Sequence, residues 1–189
     1  MNAMIGDSVT VRESKSEPQA LTGKKRSKST SKFPDVSFPS TEAEAQATEL
    51  LSKLESWDFD AIELDRVSGG NALYLVSKAL FAKYRFGSKY YIGESMISRF
   101  CLEVQKGYHN KENPYHNSVH AADVLQCLNY FIVMCGITKY LTEFDVFAAV
   151  IAAMVHDIQH PGLSNSFQIA RQAEMAIIYN DRSVLENFH

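Results

Sequence analysis

An all-α fold is the class this sequence predicts, on three observations. After about Thr41 apolar residues recur at three- and four-residue intervals, as in Leu73, Val76, Leu80 and Phe81. No segment alternates with period two for long enough to make a strand. The breaks between periodic stretches carry helix-starting residues such as Thr41, Asn71, Thr142 and Ser164, and a helix stop at Gly136.

The elements follow in order. Residues 1–40 are rich in Ser, Thr, Lys and Pro around a basic centre, Gly23 to Lys32, and read as a disordered tail ahead of one domain over 41–189. Thr41 caps a helix with Glu42 and Glu44 in its first turn, running to about Trp57. Phe59, Ile62 and Leu64 sit in a short irregular piece, and Gly69-Gly70 breaks the chain. Helices are expected from Asn71 through Tyr84 and from Ile92 to Gly107, then a loop from Tyr108 to Pro114. Further helices span Ser118 to Cys135, Thr142 to His156-Asp157, and Ser164 to Tyr179. Pro161-Gly162 makes a turn between the last two, and a final helical piece begins near Ser183.

Charge and composition exclude several roles. Residues 1–40 hold 7 Lys/Arg against 4 Asp/Glu, whereas residues 41–189 hold 12 against 18. That acidic balance argues against a nucleic-acid-binding surface, which needs clustered basic residues. Cys101, Cys127 and Cys135 form no CxxC pair, a pattern of free thiols in a reducing compartment. The longest apolar run, Val146 to Val155, is half of the roughly 20 residues that cross a bilayer, and the N-terminus lacks an apolar signal region. The expectation is a cytoplasmic protein with no transmembrane segment; a homodimer stays open.

The chemistry concentrates in histidines. Five of six fall in two short segments: His109, His116 and His120, then His156 and His160. His116 and His120 are four apart, on one face if the helix begins early enough. His156-Asp157 ends a helix whose previous ten residues are all apolar. A carboxylate there costs several kcal/mol unless a cation or strong donors meet it. Adjacent imidazole and carboxylate suit Zn²⁺, Mn²⁺ or Fe²⁺, and the second carboxylate oxygen can bridge to another ion such as Mg²⁺ or Mn²⁺. An Asp that caps the helix beside a core histidine is the plain structural alternative.

The run His156-Asp157-Ile158-Gln159-His160-Pro161-Gly162-Leu163-Ser164-Asn165-Ser166-Phe167 resembles the signature of class I cyclic nucleotide phosphodiesterases. Tyr115-His116-Asn117-Ser118-Val119-His120-Ala121-Ala122-Asp123-Val124 is similar to that family's first histidine motif, and Tyr179 to Asn187 to its following segment. One departure is visible: the family usually has two histidines after Glu186-Asn187, where this chain has Phe188 and His189. The resemblance implies hydrolysis of the 3′-phosphoester of cAMP or cGMP to a 5′-nucleotide, with two divalent metal ions, zinc at a tight position and Mg or Mn at the second. It implies His116 as proton donor to the leaving 3′-oxygen, and His120, His156 and Asp157 as metal ligands. Asp157 would also reach the second ion. His160 and Glu186 would bond water on the metals, and Tyr115, with His116 and Asp157, would line the substrate site.

Two other readings share some of these features. A broader HD-type phosphohydrolase has the His…His-Asp logic but not the Tyr-His-Asn-x-x-His-Ala-Ala-Asp segment. A catalytically incomplete helical module with a binding role is the other, because the resemblance implies a further aspartate and a base-clamping wall downstream of His189; on that ground these 189 residues alone are expected not to hydrolyse cyclic nucleotides. The all-apolar Val146–Val155 helix would then leave one side exposed.

Overall fold

Ser118, Ala121, Ala122, Leu125, Gln126, Asn129 and Ile132 follow one another at helical spacing, and all are buried. They form the inward face of the helix around which the rest packs. The structure, a computed structural model, describes residues 35–109 and 113–189. The tail expected over 1–40 lies outside it as far as residue 34, as do residues 110–112 of the expected loop.

Ten α-helices are present among the described residues, and no strand. They are α1 (Thr41–Leu51), α2 (Ala61–Val67), α3 (Ala72–Lys83), α4 (Phe86–Lys89), α5 (Glu94–Lys106), α6 (Ser118–Met134), α7 (Glu143–Val155), α8 (Asn165–Ala170), α9 (Glu174–Ile178) and α10 (Val184–Phe188), with a 3-10 turn, Ile137–Tyr140, between α6 and α7. α6 packs on α3, α7 and α2, and α3 packs on α5.

Three elements differ from expectation. The first helix ends at Leu51, short of Trp57. The Leu54 carbonyl accepts instead from Gln126 Nε2 at 3.2 Å and Asn129 Nδ2 at 2.7 Å, so α6 takes over bonds a longer helix would have made. The piece read as irregular contains α2, started by Asp60, whose carboxylate accepts from the Glu63 N–H. The helix expected from Ser164 to Tyr179 breaks at Gln172, which takes a left-handed φ of 54°. Ala173 and Ala176 thereby turn inward to meet Val184 in a small apolar cluster apart from the main core.

α7 is placed by rings and by its start. Thr142 and Asp145 form a reciprocal capping box. Phe147 meets Phe86 edge-on, ring centres 4.9 Å apart, and Tyr90 at 4.6 Å. Val146, Val150 and Met154 are its buried residues, while Phe144, Ala148 and Ala152 are exposed. One apolar side of α7 is thus uncovered, as its composition leads one to expect.

The amides inside α6 are the buried polar groups with most at stake. Asn129 bonds the Leu54 carbonyl and accepts from Lys83 Nζ at 2.9 Å and Tyr84 Oη at 2.8 Å. Asn129→Leu strands those groups. It is expected to lower unfolding free energy by about 1–3 kcal/mol for each group left unpaired. Lys106→Ala, which removes only the exposed pair with Glu103, is expected to stay within about 0.5 kcal/mol. Urea unfolding of both variants checks the contrast, and equal costs would refute it.

Candidate active site

The loop before α6 is tied by two asparagines. Asn117 caps α6 by accepting from the Val119 and His120 N–H groups, which starts the helix early enough to carry His120. Asn113 is buried; its Oδ1 accepts from the His116 N–H at 3.1 Å, and its Nδ2 donates to the His160 carbonyl at 3.2 Å. One side chain therefore sets the spacing between the His116 loop and the His160 turn. Gly162 completes that turn at φ 70°, where a Cβ would meet Asn113 at 3.2 Å.

At the end of α7 the buried Tyr108 hydroxyl donates to the Met154 carbonyl at 2.9 Å. Burial raises this phenol to about 12, so it keeps its proton. Gln159, left-handed at φ 60°, donates its N–H to the Gly107 carbonyl at 3.0 Å. A Cβ on Gly107 would lie 2.6 Å from the Ile158 side chain, so only glycine lets α5 end here.

These supports bring three donor atoms together. His156 Nε2 lies 3.3 Å from His120 Nε2 and 3.2 Å from Asp157 Oδ2, and His120 Nε2 lies 3.4 Å from the same oxygen. His156 Nδ1 donates to the Ala153 carbonyl at 3.0 Å, which leaves Nε2 as a lone pair. A tetrahedral ion with bonds of 2.0–2.1 Å holds its donors about 3.3–3.4 Å apart. The triangle has that size, so these three residues fit one divalent cation of the first transition row, a conclusion that rests on spacing and donor chemistry.

His116 stands outside the triangle, its ring centre 5.8 Å from that of His120. It stacks on His160 at 3.9 Å and 21°. His160 accepts the Gly162 N–H on Nδ1 at 3.0 Å, so its neutral ring carries a proton on Nε2. Burial pushes the His160 imidazole below its ordinary 6.5, helped by His116 and opposed by Asp157. Burial also lowers His120, with His156 acting the same way. His189, stacked parallel to His160 at 5.4 Å, is lowered mainly by burial too.

His116, His156, Asp157, His160, Glu186 and His189 line a cavity of about 540 Å³. Tyr115 lines a neighbouring cavity, about 710 Å³, together with His120 and Asp123, and its ring lies 4.7 Å from that of His120. The expected site residues therefore gather on one cavity except Tyr115 and His120, which face the next one. Glu186 is braced by Asn165, whose Nδ2 donates to it at 2.8 Å while Oδ1 accepts from the Leu185 N–H at 2.9 Å. Sequence reasoning left Asn113, Tyr108 and Asn165 without roles and gave His189 none. Asn113 had one signal, the Asn-Pro turn pair directly before Tyr115-His116.

The fold is all-helical, and its cavity carries a His–His–Asp group that could hold a metal ion, with a further histidine standing outside that group. Residues 115–189 match the family model described as 3′5′-cyclic nucleotide phosphodiesterase. Through that region the chain is similar to the 3′,5′-cyclic nucleotide phosphodiesterase family. It is 41% identical over 140 residues to 3′,5′-cyclic-AMP phosphodiesterase 4 of Dictyostelium discoideum, covering 74% of this chain and 13% of that protein. It is 38% identical over 160 residues to the human dual specificity calcium/calmodulin-dependent 3′,5′-cyclic nucleotide phosphodiesterase 1C, covering 85% of this chain and 22% of that protein. The crystal structure of the phosphodiesterase domain of a RhoPDE fusion protein from the choanoflagellate Salpingoeca rosetta superposes with a TM-score of 0.62 at 34% identity, over 76% of this chain and 43% of that one. The chain thus spans less than a quarter of the length of these two curated relatives. No helix among the described residues is long and apolar enough to cross a membrane.

The lowered histidines give a pH prediction. His120, His160 and His189 are harder to protonate folded than unfolded. Below about 6.5 the unfolded chain therefore takes up more protons, so metal-free stability, full above that pH, falls as pH drops toward the folded values. Urea midpoints measured between about pH 7.5 and 5.5 should decrease, and His160→Asn should flatten the slope. A midpoint that rises on acidification contradicts the assignment.

Proposed function

We propose that the protein hydrolyses 3′,5′-cyclic nucleotides, cAMP or cGMP, to 5′-nucleotides at the cavity of His116 and Asp157. The observation that carries this is the placement of His116 against His160, beside the donor triangle and outside it. His120, His156 and Asp157 would hold the tight ion, zinc by donor type, and Asp157 would extend to a second, Mg²⁺ or Mn²⁺. Bound divalent ions supply charge neutralisation for an anionic phosphodiester and make hydroxide available near neutral pH.

The chain's own residues do the rest. An alkoxide is a poor leaving group unless protonated as it departs, and an imidazole off the metal serves because its pKa lies near working pH. His116 is that imidazole, giving its proton to the 3′-oxygen. Its orientation comes from Asn113 on its backbone and His160 on its ring face. The His160 Nε2–H donates toward the attacking water or the phosphate, and Glu186 orients polar groups from the opposite wall. Tyr115 contributes the rim beside His120. A second reading, a helical binding module without turnover, is favoured only by the uncovered apolar side of α7. The proposed setting is cytoplasmic cyclic-nucleotide signalling.

His116→Ala should keep its metal content and lower kcat by about 10²–10⁴, and a substrate with a better leaving group should be rescued relative to the natural one. Asp157→Ala should lose both ions by elemental analysis. Metal loss in the His116 variant would make that residue a ligand and overturn its role as the acid. These activity measurements are made on a protein extended to the length of the full domain, and absence of cyclic-nucleotide turnover there would leave the binding reading.

A further inference from the structure

A third cavity, of about 440 Å³, opens between α3, α4 and α5 and shares no lining residue with the two beside the histidines. Its size falls within the roughly 300–1,000 Å³ of small-molecule sites. The floor is apolar: Phe81 and Ile97 are buried, with Ala79 and Ala82 beside them. Gly87 leaves room for that floor, because a Cβ there would come within 3.1 Å of Ile97 Cδ1 and 3.2 Å of the Ile92 carbonyl oxygen.

Two cationic side chains line the same cavity. Lys78 is the more enclosed, its side chain 16% exposed, and Nζ donates to Ser98 Oγ at 3.0 Å. It pairs with Glu94, whose side chain is 77% exposed, and a partner so open to water neutralises a half-buried ammonium poorly. Burial holds the Lys78 pKa below its ordinary value, opposed by Cys101 and Asp35. Arg85 joins α3 to α4 with a left-handed backbone, φ 58° and ψ 35°, a region glycine or asparagine enters at lower cost. Three bonds fix it there. Its N–H donates to the Ala82 carbonyl at 3.1 Å, and its carbonyl accepts from the Lys89 N–H and the Ser88 hydroxyl, both at 3.0 Å. Among the described residues no carboxylate pairs with its guanidinium.

We propose that this cavity is a ligand site for a small organic carboxylate with an apolar body. The body lies on Phe81 and Ile97, and the carboxylate takes two parallel hydrogen bonds from Arg85, with Lys78 as a second positive charge. The planar fork of an arginine matches the two oxygens of a carboxylate, and contact with the floor supplies the rest of the affinity. The site stands independently of the reaction at the histidines.

The test titrates the full chain with naphthoate, with acetate as the head alone and naphthylmethanol as the body alone. The methyl signals of Ala79, Ala82 and Ile97 are followed by carbon–proton correlation NMR. Naphthoate should shift those three signals saturably and bind about tenfold or more tightly than either fragment. Arg85→Gly should weaken naphthoate by about tenfold or more, with the urea midpoint unchanged or higher because glycine suits the left-handed backbone. Lys89→Ala, which removes a cation of α4 that pairs with Glu143 outside the cavity, should bind as the wild type does. Equal affinity for naphthoate and naphthylmethanol overturns the proposal, as does wild-type binding by Arg85→Gly. Shifts at Leu163 and Leu185 of the His116 cavity in place of these three, or no binding at all, overturn it too. A lowered midpoint in Arg85→Gly makes that arginine a support of the fold and has the same consequence.

Discussion

A single carboxylate at the end of an apolar helix governs how this molecule is arranged. Asp157 follows a helix with no other polar residue from Val146 to Val155, so the chain arrives at it with nothing local to offset its charge. What meets it are imidazole nitrogens at 3.2 and 3.4 Å, one from the adjacent residue and one from a helix 36 residues earlier. Neutral imidazoles do not cancel a carboxylate, and three lone-pair donors facing one point repel unless a proton or a cation sits among them. The triangle is therefore an arrangement that a shared proton or a positive ion would stabilise. Packing of α6 against α7 holds it at that size.

The rigidity behind this comes from small polar side chains. Asn113 and Asn117 fix the approach to α6, Tyr108 fixes the end of α7, and Gly107 lets α5 end against Ile158. Each is a backbone-directed bond or a close approach, so each acts on where a histidine sits and hardly on its chemistry. The wall with Glu186 and His189 is built differently. It belongs to α8, α9 and α10, whose apolar residues form their own small cluster. Asn165 is the cross-brace within it. The cavity thus has one wall set by the main core and another set by three short helices.

Much of this was legible in the sequence because periodicity and short-range spacing are local properties. The all-α class and the caps at Ser164 and Thr142 follow from neighbours along the chain, whereas His116 lies before the Asn117 cap and so does not share a helix face with His120 as the four-residue spacing suggested. What was not legible depends on partners far away. The first helix stops early because Gln126 and Asn129, more than seventy residues on, take the Leu54 carbonyl. The Ser164–Tyr179 helix breaks because Ala173 and Ala176 turn toward Val184. Asn113 looked like an ordinary turn residue, since nothing near it in sequence shows that its amide reaches His160. Tyr115 stands beside His116 in sequence yet faces the next cavity, because adjacent residues in this loop point to opposite sides.

The departure at Phe188 illustrates why a motif cannot be scored position by position. Read alone, a phenylalanine where the family usually has a histidine removes a polar group from a polar site. In the fold the ring lies edge-on to His189, which in turn lies parallel to His160, which stacks on His116. Three imidazoles thus form a column ending in an apolar wall, and His116 at one end is positioned through the others. Only His160 in that column is fully committed, with its carbonyl taken by Asn113 and its Nδ1 by Gly162. Its ring cannot flip without breaking the bond to Gly162, and its backbone cannot shift without breaking the bond to Asn113. Each outer ring has a second aromatic neighbour, Tyr115 edge-on to His116 and Phe188 beside His189. A column clamped in the middle fixes where the two outer imidazoles stand relative to one committed ring, so the apolar wall at Phe188 bears on His116 only through His189 and His160.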